Sequence, residues 1–110
     1  MARLPHDEHM DRPEILIAER LSAFPEVERV ILFGSRARGD GGPRADIDIA
    51  VDCPKASTVR WFDMIDAADE AATLLMIDLV RLDEAPPELT ASIREEGRIL
   101  YERQERQTSV

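Results

Sequence analysis

This chain has little that would tie it to an oxidising compartment or to a membrane. Its 110 residues include one cysteine, Cys53, so no disulfide can form within the chain, a usage typical of a reducing compartment. No apolar run approaches the roughly 18 residues of a membrane span, and no basic segment precedes a signal-like run. We therefore expect a cytoplasmic location, no membrane association and a structural role for Cys53.

Basic residues are also scarce, with 14 Lys and Arg against 23 Asp and Glu, for a formal net charge of −9. Such a surface repels the phosphate backbone of nucleic acids, so we expect no direct binding of a nucleic-acid polymer. It would attract a basic partner surface instead. Arg36, Arg38 and Arg44 form a small basic cluster, which suits a triphosphate better than a duplex groove.

The length allows a single small domain, because a chain of this size buries somewhat over about 60 per cent of its unfolded surface. We place this domain at residues 13–101, between a flexible N-terminus at 1–12 and a polar tail at 102–110. His6 and His9 lie in the N-terminal segment, and neither has the neighbours typical of a metal site.

Proline and glycine predict the limits of two helices. Pro13 can occupy the first turn of a helix whose apolar stripe runs down to Pro25. Pro86-Pro87 introduces a second helix, which we expect to end at Gly97. Residues 99–101 then predict a short edge strand.

A pair of aspartates opens an apolar run in the middle of the chain. Period-2 alternation places Asp46 and Asp48 on one face of a strand, and the opposite face carries Ile47, Ile49 and Val51. Two ionised carboxylates at this spacing would repel by about 2 to 3 kcal/mol at an effective dielectric near 20, and a cation between them would remove that penalty. Mg²⁺ prefers carboxylate oxygens together with substrate phosphates. The pair indicates a metal-bound triphosphate, although the same pattern also occurs at ordinary strand ends and turns.

A phosphate-binding turn is predicted upstream, where an apolar strand at 28–33 meets Gly34. Ser35 can N-cap a short helical turn, and helix N-termini bind phosphate through free N–H groups. Gly34 has no Cβ, so the backbone can approach a ligand closely. Arg36 and Arg38 add guanidinium groups that match phosphate oxygens; because they point in different directions on a helix, we favour Arg38 as the one facing the ligand. The alternative is an ordinary Gly-Ser turn with solvated arginines.

Asp78 is a candidate third acid, because it alone interrupts the otherwise apolar strand that we predict at residues 74–80. A buried unpaired carboxylate is costly, so we expect Asp78 to face a polar group. It can bridge a metal or accept the proton of an attacking hydroxyl; alternatively it is a strand-edge acid paired with Arg81. Three other acids compete less well because their spacing places them on the solvated face of a helix: Asp63, Asp66 and Glu70.

Together these segments resemble the minimal nucleotidyltransferase domain of the polymerase beta superfamily. The resemblance covers most of the chain and is carried by Gly34-Ser35-x-Ala37-Arg38-Gly39, Asp46-Ile47-Asp48 and Ile77-Asp78-Leu79-Val80. It implies an α/β (α+β) fold with a small mixed β-sheet and flanking helices. One departure is visible: many relatives place Ser just before the first Asp, where this chain has Ala45.

The resemblance implies Mg²⁺-dependent transfer of a nucleoside monophosphate, AMP from ATP, to a hydroxyl, with pyrophosphate leaving. Two Mg²⁺ ions are expected in such a site. Asp78 would also activate the acceptor. Carried over by position, the catalytic metal ligands would be Asp46, Asp48 and Asp78, and the triphosphate would contact Gly34, Ser35, Arg36 and Arg38.

Larger relatives carry an additional helical region for the acceptor, and nothing after Tyr101 could build one, so we expect the acceptor on another protein. Standalone domains of this kind resemble the antitoxin half of bacterial two-protein modules with a helical HEPN-type partner, often an RNase toxin. The resemblance implies AMP transfer to a partner tyrosine. Two alternatives stay open: a non-catalytic antitoxin that acts by occlusion, and the catalytic half of a two-protein small-molecule nucleotidyltransferase.

Overall fold

A computed structural model describes residues 12–42, 45–71 and 75–104, which form a four-stranded mixed sheet with helices on both faces. This architecture confirms the predicted fold class. In chain order the elements are α1 (Pro13–Ser22), β1 (Arg29–Phe33), α2 (Gly34–Arg38), β2 (Ile47–Asp52), α3 (Thr58–Ala71), β3 (Ile77–Arg81), a 3-10 turn (Leu82–Glu84), α4 (Pro87–Glu96) and β4 (Arg98–Glu102).

The sheet has the strand order β3-β2-β1-β4. β1 runs antiparallel to both of its neighbours, β2 and β4, whereas β2 and β3 are parallel. A parallel pair needs a crossover connection, and α3 supplies it. The short helix α2 lies in the connection between β1 and β2, next to the strand that carries the aspartate pair.

One face of the sheet, here called the α1/α3 face, holds the larger apolar cluster. The predicted stripe of α1 is confirmed, with Ile17 and Leu21 fully buried, and Met64 of α3 packs into the same cluster. The predicted apolar side of β2 points into it as well. Cys53 is buried there, and burial raises the pKa of its thiol to about 11, which keeps the thiol protonated and unreactive.

The opposite face, here called the α4 face, holds a smaller cluster. Ile31 and Ala50 from the central strands pack under Ile93 of α4. α4 begins at Pro87 and its C-cap is Gly97, as predicted. A Cβ on Gly97 would overlap the carbonyl oxygen of Ile93, so the glycine permits close packing of the helix end.

Several boundaries differ from the sequence-based predictions. β1 begins at Arg29, and Asp46 lies just before β2 and not within it. Ser35 is not an N-cap: α2 begins at Gly34, its N-cap is Phe33, and no side chain caps it, because the chain turns at Gly34. β3 begins only at Ile77, and β4 extends to Glu102.

Most of the two predicted terminal segments, as well as Pro43, Arg44 and residues 72–74, lies outside the described residues. Where the structure describes the chain, no helix has both the length and the hydropathy to cross a membrane.

Candidate active site

The parallel pairing of β2 with β3 places two acids side by side. Asp48 and Asp78 are Cα partners in the register, and neighbouring strands lie about 4.8 Å apart. Ile77 and Leu79 both pack against the α1/α3 cluster, so Asp78 between them points to the α4 face. Asp48 points there too, because Ile47 and Ile49 are fully buried on the other side. Long-range pairing thus joins two acids that are far apart in the sequence.

Asp46 completes a group of three acids, here called the acid cluster (Asp46, Asp48 and Asp78). It immediately precedes β2 and is exposed, as is Asp78, whereas Asp48 is half-buried. Burial raises the pKa of the Asp48 carboxyl, and the charges of Asp78 and Asp46 raise it further, whereas Arg38 lowers it. The Asp48 carboxylate therefore interacts electrostatically with both other acids of the cluster.

The turn at Gly34 lies directly against Asp48. Phe33 is the Cα partner of Asp48 on β1, and Gly34 follows with a φ of 75°. A Cβ at this glycine would overlap the Oδ2 atom of Asp48, so only glycine leaves room for the carboxylate beside the backbone. The structure thus brings the predicted phosphate turn and the aspartate pair to one place.

The loop after α2 folds back onto Ser35. The backbone N–H groups of Gly39 and Asp40 donate to the carbonyl oxygen of Ser35, at 2.9 and 3.1 Å. Gly41 lies against the Ser35 side chain and the Cβ of Ala45, where any larger residue would overlap both. The loop therefore returns closely to the start of β2, where Asp46 lies.

The two arginines of α2 have different environments. Arg36 donates from Nε to the carbonyl oxygen of Ala45 at 3.0 Å and from NH1 to Glu14 at 3.4 Å, and its side chain is only 11% exposed. Arg38 is 47% exposed and pairs with Asp40 and Glu96. The charge of Arg38 also lowers the pKa of Asp48, so this arginine lies on the side of the aspartates. The choice of Arg38 over Arg36 as the phosphate ligand stays a prediction.

Arg81 is not the partner of Asp78. Its guanidinium donates to Asp83 at 2.9 Å and to the carbonyl oxygens of Cys53 and Ala56, at 3.1 and 2.8 Å. These hydrogen bonds stabilise the turn after β2. The structure therefore does not support the alternative in which an Asp78–Arg81 ion pair explains the acid.

The acid cluster has the donor chemistry of a magnesium site, but its carboxylates are not gathered around one point. In residues 12–42, 45–71 and 75–104, no three His, Cys, Asp or Glu side chains stand close enough to enclose a metal ion. Three like charges favour separation. Burial is the main cause of the raised pKa of Asp48, and repulsion from Asp78 and Asp46 adds to it. The carboxylate oxygens lie on one face of the sheet, and a cation would relieve the repulsion between them. This chemistry suits a hard divalent ion.

Sequence reasoning missed the acids that hold the two arginines. Glu14 on α1 contacts Arg36, and Glu96 at the end of α4 contacts Arg38, across 22 and 58 residues of sequence. No local pattern identifies such pairs. Asp40 was the one partner with a sequence signal, because it follows Arg38 by two residues.

The four-stranded mixed sheet places a glycine turn beside Asp48 and Asp78 on its strands and Asp46 just before β2, an arrangement suited to enzymes that transfer phosphate-containing groups. The family model described as "Polymerase beta, Nucleotidyltransferase" matches residues 16–106. The chain therefore belongs to the polymerase beta nucleotidyltransferase family, and it is a nucleotidyltransferase. No curated protein sequence matches it.

Solved structures agree with this assignment. A chain from a toxin–antitoxin crystal structure with AMP-PNP is 27% identical, with a TM-score of 0.68 and coverage of 83% of this chain and 74% of that one. A chain from the structure of a tri-AMPylated Shewanella oneidensis HEPN toxin in complex with an MNT antitoxin is 25% identical, with a TM-score of 0.63 and coverage of 83% and 71%. A nucleotidyltransferase-like protein from Sulfolobus solfataricus shares the fold at 22% identity, with a TM-score of 0.52 and coverage of 94% and 93%.

Proposed function

We propose that this chain is a protein adenylyltransferase that transfers AMP from ATP to a tyrosine of a HEPN-type toxin, and that it acts as the antitoxin of that pair. The observation that carries the proposal is the register of Asp48 with Asp78 beside the turn at Gly34. Two neighbouring strands supply carboxylates, and the adjacent turn supplies a backbone that a polyphosphate can approach.

The glycine turn and Arg38 bind the triphosphate in this proposal. Gly34 leaves the backbone accessible, and Ser35 adds a hydroxyl next to it. The Arg38 guanidinium exchanges its exposed contacts with Asp40 and Glu96 for phosphate oxygens, which it can meet with two parallel N–H bonds. The anionic substrate is thereby held next to the acid cluster.

The acid cluster holds Mg²⁺, for which we propose two ions. Mg²⁺ bound by these acids would polarise the phosphate and neutralise the charge that develops as pyrophosphate leaves. Asp46 and Asp48 are the ligands nearest the glycine turn, and Asp78 stands on the outer strand. The cluster thus has a nucleotide side and an open side.

The acceptor hydroxyl approaches from the open side. Its oxygen attacks the α-phosphorus, its proton passes to the Asp78 carboxylate, and the bond between the α-phosphorus and the bridging oxygen breaks to release pyrophosphate. Asp78 is exposed, so a hydroxyl on another protein can reach it. Met76 lies on the same face, because Leu75 and Ile77 on either side of it pack against the α1/α3 cluster, and it is 71% exposed. Methionine makes favourable contacts with aromatic rings, which suits a tyrosine acceptor.

Two neighbours support the choice of nucleotide and acceptor. One structure contains AMP-PNP in a toxin–antitoxin complex, and another contains an AMPylated HEPN toxin together with an MNT antitoxin. The net charge of −9 gives the chain a surface that attracts a basic partner.

The test is a transfer assay with the protein encoded beside this chain, which the proposal expects to be of the HEPN type. The proteins are incubated with Mg²⁺ and ATP labelled at the α-phosphate, and with γ-labelled ATP in parallel. We expect label on the partner from α-labelled ATP alone, since the γ-phosphate leaves with pyrophosphate. Replacement of the labelled tyrosine by phenylalanine abolishes the signal if tyrosine is the acceptor.

The matched controls are two aspartate-to-asparagine variants. Asp46→Asn removes a member of the acid cluster, whereas Asp66→Asn changes an exposed acid on α3, on the opposite side of the sheet. We expect Asp66→Asn to label the partner as the wild type does and Asp46→Asn to fail. Equal labelling by both variants contradicts the catalytic proposal, and neutralisation of the toxin without any label supports occlusion instead.

A further inference from the structure

An ion pair that is almost fully enclosed lies next to the acid cluster without belonging to it. The Glu14 and Arg36 side chains are 13% and 11% exposed, and the guanidinium also donates to the Ala45 carbonyl oxygen. We propose that Glu14 and Arg36 are positioning residues that hold Asp46 in place as a metal ligand. The inference rests on the proposed function in one respect only, namely that Asp46 binds metal.

The position of Asp46 explains why it needs such support. It lies just before β2, next to the Ile47 N–H, which donates to the Met76 carbonyl oxygen at 2.9 Å. Asp46 itself is exposed. Its backbone therefore depends on the contacts of the residue before it, Ala45.

Arg36 supplies that contact. Its Nε group donates to the Ala45 carbonyl oxygen at 3.0 Å, directly upstream of Asp46. Glu14 accepts from the other side of the same guanidinium at 3.4 Å and so fixes its orientation. One planar group thus ties α1 and α2 to the start of β2. Metal ligands commonly depend on such outer contacts, which set their orientation.

This arrangement is compatible with alanine at position 45. The anchor of the loop is the backbone carbonyl of this residue, which any side chain leaves available. Its Cβ packs closely against Gly41, so a small residue is favoured. An alanine here therefore keeps the contact that positions Asp46.

The competing role for Arg36 is direct binding of the triphosphate, as its sequence motif predicts. The two roles give opposite expectations for Glu14→Gln. If Arg36 binds phosphate, neutralising Glu14 removes a competitor, and nucleotide affinity stays the same or rises. If Arg36 positions Asp46, the same change loosens the guanidinium, and Mg²⁺-dependent affinity falls.

The experiment titrates Mg²⁺ by calorimetry in the presence of AMP-PNP. We expect Glu14→Gln and Arg36→Met to weaken Mg²⁺ binding by about 10- to 100-fold, the range typical of outer-shell changes, with little change in metal-free nucleotide binding. The Mg²⁺ affinity of Arg36→Lys should lie between that of these variants and that of the wild type. A lysine ammonium keeps the charge but lacks the planar guanidinium that donates to Glu14 and to the Ala45 carbonyl oxygen at once. The matched controls are Arg20→Met and Glu70→Gln, which break an exposed pair at 3.7 Å and should leave Mg²⁺ affinity unchanged.

A second measurement needs no metal. Hydrogen exchange of the Ile47 amide should be several-fold faster in Arg36→Lys and Glu14→Gln than in the wild type and the controls, because its bond to Met76 closes the segment that Arg36 anchors. Unchanged exchange overturns the positioning role, as does a rise in nucleotide affinity in Glu14→Gln. If the wild type itself binds no Mg²⁺ with AMP-PNP, the proposed function fails, and the exchange rates still decide whether Arg36 anchors Asp46.

Discussion

The two faces of the sheet differ in how completely helices cover them. On the α1/α3 face, two helices seal a continuous apolar cluster that includes the fully buried Ile47 and Ile49. On the α4 face, one helix covers Ala50 and its neighbours but leaves the strand ends with Asp48 and Asp78 accessible. The first face therefore maintains the fold, and the second carries the chemistry in the function that we propose.

The side chains of β2 alternate between the two faces of the sheet. Three of its residues enter the α1/α3 cluster, whereas Asp48 and Ala50 alternate with them toward α4. Substitutions one position apart on the same strand should thus affect different properties. This contrast can be tested on activity and on stability separately.

The largest expected effect is the loss of activity in Asp48→Asn. We expect AMP transfer to fall by about 10³-fold or more, because metal-assisted charge stabilisation supplies several kcal/mol and each 1.4 kcal/mol is a factor of ten. The free energy of unfolding should not fall, since the change removes a half-buried charge that has two acidic neighbours. The measurements are the transfer rate under saturating ATP and urea denaturation without metal. Full activity in this variant would place the catalytic centre elsewhere.

The opposite result is expected for Leu21→Ala on α1. This side chain is fully buried on the α1/α3 face, so its truncation should destabilise the fold by about 2 to 5 kcal/mol. The transfer rate per folded molecule should stay unchanged below the unfolding transition. Urea denaturation and active-site titration separate the two quantities. A large loss of rate at full occupancy of the folded state would show that the two faces are coupled.

The sequence allowed the layout of both faces to be predicted where the pattern is local. Alternation placed Ile47 and Asp48 on opposite faces, and Pro13 and Pro87 marked helix starts, because these signals act within a few residues. The fold class followed from the family resemblance, whose motifs the structure places on α2, at the start of β2 and on β3.

The supporting contacts could not be predicted from the sequence. The Arg36 motif indicated a phosphate ligand, yet its guanidinium contacts Glu14, 22 residues away. The pairing of Arg38 with Glu96 likewise depends on where α4 ends against the sheet. Such contacts arise from tertiary packing, for which a single sequence carries no periodic signal. The helix boundary at Ser35 was wrong because the glycine turn replaced a side-chain cap.

Gly34→Ala should affect both properties at once, because this glycine touches the acid cluster and ends β1. Its positive φ and the overlap of a Cβ with Asp48 Oδ2 predict a loss of about 1 to 3 kcal/mol in stability. Displacement of the Asp48 carboxylate should also lower the transfer rate. Gly42→Ala is the matched control, since its φ is also positive but its Cβ would meet nothing within 4 Å. We expect the control to lose stability without loss of rate; equal rates in both variants would contradict the role of Gly34.

The smallest expected effect is a pH dependence of stability that comes from Asp48. Burial, and then the charges of Asp78 and Asp46, raise the pKa of this carboxyl above its ordinary value of 3.8. A group that binds its proton more tightly in the folded chain than in the unfolded chain lowers stability when it ionises. Without metal, the wild type should therefore lose stability relative to Asp48→Asn as the pH rises from about 4 through the raised pKa, and the deficit should persist at neutral pH. Mg²⁺ with AMP-PNP should reverse the order at neutral pH, because these ligands bind the native wild type and not the variant. Urea denaturation across this pH range, first with EDTA and then with Mg²⁺ and AMP-PNP, measures the sign of the stability difference between wild type and variant under each condition. If the wild type is more stable than Asp48→Asn in EDTA at neutral pH, the Asp48 carboxylate already has a partner that compensates its charge. The α4 face would then carry no unpaired charge for a cation to bind.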